Sequence, residues 1–215
     1  MNIPIFPLQL IVFPGESLNL NIFEQKYRQL FADLKSGSIT FFGIPPVVDH
    51  QMHAFGTRLI LTDIVKNYPG GEMDVSTQGI DVFKLGGILA NSGQKLYAEA
   101  TVDLITHDSS YDFLKFEELR GLYLEFQDLM AAQKEIDVVD GDGYSFKIAH
   151  YIGLSEAQKL ALLEIVSEFD RQDYLIQHLK LIILSMRNIK ETQARITANG
   201  HFKNLKSFNF TQGES

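Results

Sequence analysis

Cysteine is absent from this 215-residue chain, and so is any run of about 18 apolar residues. Without thiols the protein can form no disulfide, no cysteine-ligated zinc site and no thiolate nucleophile. Without a long apolar run it has no transmembrane helix. Residues 1–7 contain two prolines and no basic side chain, which is a poor signal peptide. We therefore expect a cytoplasmic protein that makes no membrane contact.

Several catalytic motifs are also absent. A phosphate-binding P-loop requires a Gly-Lys dipeptide, and the chain contains none. The Gly-x-Ser-x-Gly nucleophile motif and the His-Glu-x-x-His zinc motif are missing as well. We therefore expect no enzyme activity, no catalytic residue, no cofactor and no bound metal.

Two clusters resemble metal sites. His50 and His53 would share one face if residues 49–53 were helical, but the two prolines just before them favour a surface loop. Asp137, Asp140 and Asp142 resemble a calcium loop, yet the ligand spacing is broken and the closing glutamate is missing. We interpret both clusters as polar turns.

The triplet His107, Asp108 and Ser109 contains the residue types of a hydrolase triad. Adjacent residues rarely point to one place, so this spacing does not predict a catalytic site. We expect instead that Asp108, Ser109 or Ser110 caps the helix that follows.

The net charge of −8 disfavours nucleic acid as a partner, because such a surface repels phosphates on average. The exception is a basic segment, residues 187–206, with Arg187, Lys190, Arg195, Lys203 and Lys206 against one acid. We interpret it as a solvated helix end; a small anion-binding patch is the alternative.

Residues 1–108 have the pattern of a β-rich lobe. Strands are expected at residues 17–22, 39–44, 57–65, 73–85 and 96–105, where apolar residues alternate or cluster between turn signals. Gly79 predicts a bulge in the fourth of these strands. Pro7 and Pro14 should limit ladder pairing in the strand between them.

One helix is expected inside this lobe and three after it. In the first, Phe23 and Tyr27 should anchor the helix on the sheet, Glu24 should lie in its first turn, and Gly37 should end it. The later helices are expected at residues 116–130, 155–169 with a Ser155–Gln158 capping box, and 175–189. The chain is thus predicted to be α+β, with a helical lobe at 109–196 and a flexible tail at 197–215.

Several segments resemble the amino-terminal domain of Lon proteases. They are Ile-Pro-Ile-Phe-Pro-Leu and Val-Phe-Pro-Gly at residues 3–8 and 12–15, Ile-Phe-Glu-Gln-Lys-Tyr at 22–27, Phe-Gly-Thr at 55–57, Pro-Gly-Gly at 69–71 and Leu-Tyr-Ala-Glu-Ala at 96–100. The chain departs from the family pattern at three positions. The usual proline is replaced by Gln25, and two usual arginines are replaced by Lys26 and Val82. The resemblance covers residues 3–190.

The resemblance implies a PUA-like β-barrel or sheet lobe followed by an α-helical lobe. It also implies a substrate-recognition role, in a free-standing chain without Lon's ATPase and peptidase. Our leading hypothesis is a non-catalytic module that binds unfolded polypeptide or a protein partner, through a groove between the lobes or an exposed sheet edge. The alternatives are an RNA-binding PUA-like module and a small hydrolase with a histidine–carboxylate pocket. The sequence identifies neither the partner-binding residues nor the oligomeric state.

Overall fold

The computed structural model describes residues 1–89, 95–108, 111–130 and 143–206, with backbone only for 198–206. Its strands are β1 Asn2–Pro4, β2 Ser17–Ile22, β3 Phe42–Ile44, β4 Val47–Val48, β5 Gln51–Met52, β6 Phe55–Asn67, β7 Met73–Leu89 and β8 Glu99–Leu104. Its helices are α1 Gln25–Ser36, α2 Phe113–Met130, α3 Tyr144–Ile148, α4 Glu156–Glu164 and α5 Glu168–Lys206, with a 3-10 turn at Ala149–Tyr151. The α+β class is confirmed.

The main sheet is antiparallel and curls into a barrel. Its order is β1-β8-β7-β6-β3, and β2 pairs with β7 beside β8. The ends meet where Ile5 forms a parallel bridge with Gly43 and the Phe6 amide donates to the Gly43 carbonyl at 2.8 Å. A side chain on Gly43 would come within 2.8 Å of Ile3 and Phe83. Glycine is therefore required where the barrel closes.

The hairpin of β6 and β7 confirms the strands predicted at residues 57–65 and 73–85. The register shifts between Arg58 and Leu59, which pair with Asp81 and Gly79 and leave Ile80 as the extra residue of a bulge. A Cβ on Gly79 would lie 2.5 Å from the Phe13 carbonyl oxygen. The predicted bulge is thus present, and close backbone approach explains its glycine.

The strand expected between Pro7 and Pro14 does not form. Ile5 and Leu8 make only isolated bridges, and the segment then crosses the end of the barrel with Val12 and Phe13 fully buried. The apolar character of this run therefore reflects burial in the core rather than strand pairing.

Helix α1 packs as predicted at Tyr27 but not at Phe23. Tyr27 is buried, and its ring stacks on Phe6 with 3.7 Å between centroids. Phe23 is 63% exposed, because the helix begins only at Gln25 and the chain before it is extended. Glu24 is the N-cap residue, outside the first turn, and pairs with Lys26 at 3.1 Å.

The end of α1 is confirmed at Gly37. Its φ of 77° lies in the left-handed region, which glycine adopts without strain. Its amide donates to carbonyls of the last turn, so the helix end is satisfied.

The second helix of the helical lobe is shorter than predicted. The Ser155–Gln158 capping box forms, but α4 ends at Glu164 instead of continuing to Phe169. Ile165 is extended, and Ser167 forms a bridge with Asp108 before α5 begins. Pairing with the chain after β8 therefore interrupts what the apolar periodicity indicated as one helix.

Helix α5 continues to Lys206, past residue 197, where we predicted the tail to begin. Residues 207–215 lie outside the described residues, so the predicted flexibility of the tail remains a prediction. Helices α2 and α5 run in the same direction, as the ion pairs Lys115–Asp173 and Glu118–Lys180 show. The division of the chain at residue 108 also remains a prediction.

The N-cap of α2 is Asp112, which is not among the caps predicted. Its carboxylate accepts the amide of Lys115 at 2.9 Å. The carbonyl of Asp108 accepts the amide of Glu168 at 3.1 Å, so Asp108 serves the start of α5. Ser109 and Ser110 lie outside the described residues.

A buried arginine joins the two lobes. Arg171 is 2% exposed and pairs with the fully buried Glu168 at 2.8 Å. It also donates to the carbonyls of Ile165 and Val166 and to the ring of His107, which follows β8. One guanidinium therefore holds the start of α5 against both the preceding segment and the β lobe.

We expect Arg171→Met to lower the free energy of unfolding by about 3–5 kcal/mol, because it leaves the Glu168 carboxylate buried without its partner. The double variant Glu168→Met/Arg171→Met should be destabilised by less than the sum of the single variants. Urea unfolding followed by circular dichroism measures both. Additive losses would contradict a coupled pair.

We expect Gln172→Met to raise the free energy of unfolding by about 1 kcal/mol. Gln172 is fully buried, and neither of its amide atoms has a hydrogen-bond partner among the described residues. Gln177→Met, at an exposed position of the same helix, is the control and should change stability little. A loss of stability in Gln172→Met would show that the amide is satisfied.

Candidate functional site

Three cavities follow one another along the junction of the lobes. The first, of about 310 Å³, is lined by Leu10, Ile11, Glu16, Val47, Val48 and His150 among others. The second, of about 350 Å³, lies between Pro14–Ser17 and Phe146–Tyr151. The third, of about 370 Å³, is lined by Arg58, Ile80, Asp81, Leu104, His107 and Arg171 among others.

Shared lining residues make these cavities neighbours. Glu16 and His150 belong to the first and second, and Pro14 and Phe146 to the second and third. Both lobes contribute walls to each cavity. We call the three together the interlobe groove.

A contact between a histidine and a carboxylate crosses the lobes between the first two cavities. Nε2 of His150 lies 3.0 Å from Oε2 of Glu16, and the same oxygen accepts the Phe13 amide at 2.9 Å. The His150 ring also lies against Phe13, with 4.9 Å between centroids. The pair thus fixes the Phe13–Glu16 turn against the helical lobe.

A histidine and a carboxylate in one pocket are what the hydrolase alternative requires. Nucleophilic catalysis also needs a hydroxyl hydrogen-bonded to that histidine. Within the described part of the chain, no serine or threonine hydroxyl bonds to His150. The geometry therefore explains a structural bridge and supplies no activated nucleophile.

The third cavity has a polar wall of balanced charge. Arg58 pairs with Asp81, and Arg171 pairs with Glu168 behind it. Since these two guanidiniums face two carboxylates, the wall has no excess charge that would favour an anionic ligand.

His107 lies on that wall as a neutral side chain. Its Nδ1 is 2.8 Å from Nη1 of Arg171, and a guanidinium can only donate. Nδ1 also lies 3.2 Å from the carbonyl oxygen of Val166, and Nε2 is buried without a hydrogen-bond partner among the described residues. Burial, and then the charge of Arg171, lower the pKa of His107 below its ordinary value of 6.5.

The first of the two metal-like clusters lies in a turn, as predicted. His50 lies with Asp49 in the tight turn between β4 and β5, both with positive φ, so residues 49–53 are not helical. His53 lies 3.5 Å from Glu164 on α4. No group of three or more possible metal ligands occurs within residues 1–89, 95–108, 111–130 and 143–197.

The structure describes the remaining sequence candidates only in part. Asp137, Asp140 and Asp142 fall outside the described residues, as does Ser109 of the triplet. In the basic segment, Arg187 pairs with Glu125 of α2 at 2.6 Å.

The three departures from the family pattern lie in different places. Val82 is fully buried in the core that β7 shares with the helical lobe, so it affects packing. Gln25 opens α1, and Lys26 pairs with Glu24 at its start. None of the three lines the groove cavities described above.

Sequence patterns did not identify the residues of the groove. Pro14 was expected to limit strand pairing, no role was predicted for Glu16, and His150 belongs to a short segment without a motif. The Phe-Pro-Gly-Glu sequence at residues 13–16 does indicate a turn. Glu16, at the end of this turn, contacts His150 of the helical lobe.

Comparison with known proteins gives a family and a fold. The family described as the ATP-dependent protease La (LON) substrate-binding domain matches residues 2–181. No curated protein matches the chain significantly. Within the described residues, no helix is long and apolar enough to cross a membrane.

Two solved structures are similar in fold. A Lon N-terminal domain protein from Xanthomonas campestris has a TM-score of 0.64 at 21% identity, covering 82% of this chain and 98% of that one. The N-terminal domain of a Mycobacterium avium complex Lon protease has a TM-score of 0.65 at 19% identity, covering 84% and 98%.

We expect the protein to lose stability as the pH falls below 6.5. Because the folded-state pKa of His107 is lowered, the unfolded chain binds this proton more readily. Neutral His107 therefore makes its full contribution to the free energy of unfolding above pH 6.5. This contribution is lost as the pH falls towards the folded-state pKa of His107. His107→Asn keeps an acceptor for Arg171 and should reduce the slope of unfolding free energy against pH; His50→Asn is the matched control. An unchanged slope in His107→Asn would contradict the assignment.

Proposed function

This chain belongs to the Lon substrate-binding domain family, and from that we propose that it is a non-catalytic module that binds unfolded polypeptide along the interlobe groove. The observation that carries the proposal is the groove itself. Its three neighbouring cavities draw walls from both lobes, and an extended chain is the ligand shape that such a row of cavities fits.

The walls of the groove support a polypeptide ligand. Ile80 and Leu104 are 37% and 39% exposed at the third cavity, and Tyr151 is exposed at the second. These side chains offer contacts for the apolar residues that an unfolded chain presents. Glu16 and His150 add polar atoms where the first and second cavities meet.

No specific observation favours the RNA-binding alternative or the hydrolase alternative. The charge of −8 disfavours RNA, and the balanced wall of the third cavity adds no cationic surface. The histidine–carboxylate pair of the groove lacks a bonded hydroxyl among the described residues.

The test uses fluorescently labelled, reduced and carboxymethylated α-lactalbumin as the unfolded ligand, with native α-lactalbumin as the folded control. Fluorescence anisotropy on titration with this protein should show binding of the unfolded chain only. No binding of the unfolded ligand, or equal binding of the native one, would contradict the proposal.

We expect the double variant Ile80→Ser/Leu104→Ser to weaken this binding about 30-fold, because each change removes about 1 kcal/mol of apolar contact. Both side chains are partly exposed, so the fold should persist. Val65→Ser is the control: Val65 is 61% exposed on β6, away from the groove cavities. Equal weakening by the control would show that the groove is not the site.

A further inference from the structure

Strand β2 has one unpaired edge. It pairs with β7 without a register shift from Ser17 opposite Gln78 to Ile22 opposite Met73. The Gly79 amide donates to the Glu16 carbonyl at 2.9 Å, so the even-numbered residues direct their backbone groups towards β7.

The odd-numbered residues of β2 therefore direct their backbone amides and carbonyls away from β7. These residues are Ser17, Asn19 and Asn21, and all three are exposed. Across the described part of the chain, none of these backbone groups takes part in a hydrogen bond outside the strand ladder. A row of outward-directed donors and acceptors thus runs along residues 17–21, or about 17 Å.

Strand β6 also has an open edge, and that edge differs from the edge of β2. Beyond Leu59, strand β6 has no partner on the side of β3 within the described residues. That open stretch has two register shifts and the charged residues Asp63 and Lys66. Bulges and charges are the usual protection of an edge against pairing with another chain.

Strand β2 has none of these protections. Its sequence, Ser-Leu-Asn-Leu-Asn-Ile, contains no charge and no proline, and its pairing contains no bulge. One open edge of the sheet is thus blocked and the other is left competent to pair.

The edge of β2 is also held rigid on its exposed face. Ser76 donates to the Asn19 side chain and Asn21 donates to Asp74, each at 2.7 Å, across the ladder to β7. On the other face Leu18, Leu20 and Ile22 pack into the core. A preformed strand loses little conformational entropy when a ligand pairs with it.

We propose that an extended segment of the bound polypeptide adds to the free edge of β2 as a further strand. This inference rests on the proposed function and specifies its mode. Ser17 lines the second cavity and Leu18 the first, so a chain paired with β2 continues directly into the groove. Phe23, exposed just past the other end of the strand, offers an apolar contact there.

The decisive variant is Asn19→Pro. Its amide points away from β7, so proline removes no ladder bond, while its ring blocks pairing at the free edge. We expect it to weaken binding of the unfolded α-lactalbumin at least about tenfold. Asn19→Thr keeps the amide and should bind within about twofold of the unmodified protein.

Amide hydrogen exchange in the unmodified protein provides a second measurement, which holds even if Asn19→Pro does not fold. The amides of Ser17, Asn19 and Asn21 should exchange rapidly in the free protein and at least about tenfold more slowly with ligand bound. The amides of β6 beyond Leu59 should change little.

Each other outcome decides against the inference. If Ile80→Ser/Leu104→Ser weakens binding while the β2 amides stay unprotected, the edge is not used and the proposed function stands. If the unmodified protein does not bind the unfolded chain, both proposals fail. If the β2 amides become protected with rising protein concentration and sedimentation shows a dimer, the occupant is a second copy of this chain.

Discussion

The buried guanidinium of Arg171 is the contact on which the arrangement of the two lobes depends. It donates to Glu168 and to the carbonyls of Ile165 and Val166, and it contacts His107 from the β lobe. It also lies 4.4 Å from the ring of Phe146. Its many acceptors compensate for the cost of burying its charge.

The position of Phe146 links this contact to the groove. Phe146 stacks on Phe13 with 5.3 Å between centroids and lines both the second and third cavities. The Phe13–Glu16 turn is in turn fixed by His150. The shape of the groove therefore follows from how one arginine and two aromatic rings seat the helical lobe on the barrel.

Patterns carried by neighbouring residues were predictable from the sequence, whereas contacts between distant residues were not. The Gly79 bulge and the Ser155 capping box are local, and both are present. The exposure of Phe23 depends on where α1 begins, which apolar periodicity alone does not fix. Glu16 and His150 are 134 positions apart, and only the packing of the lobes brings them together.

Strand lengths explain how a stable sheet retains an open edge. β7 spans 17 residues, and one side of it is shared by β2 at its beginning and β8 at its end. β8 is covered by β1, whereas β2 ends the sheet. Under the mode we propose, the main chain of the ligand supplies the hydrogen bonds, which requires no particular sequence. A folded protein already satisfies its backbone groups internally. The module would then select unfolded chains because only their backbone amides and carbonyls are free to pair with β2. The apolar side chains of the groove would add affinity without requiring a particular ligand sequence.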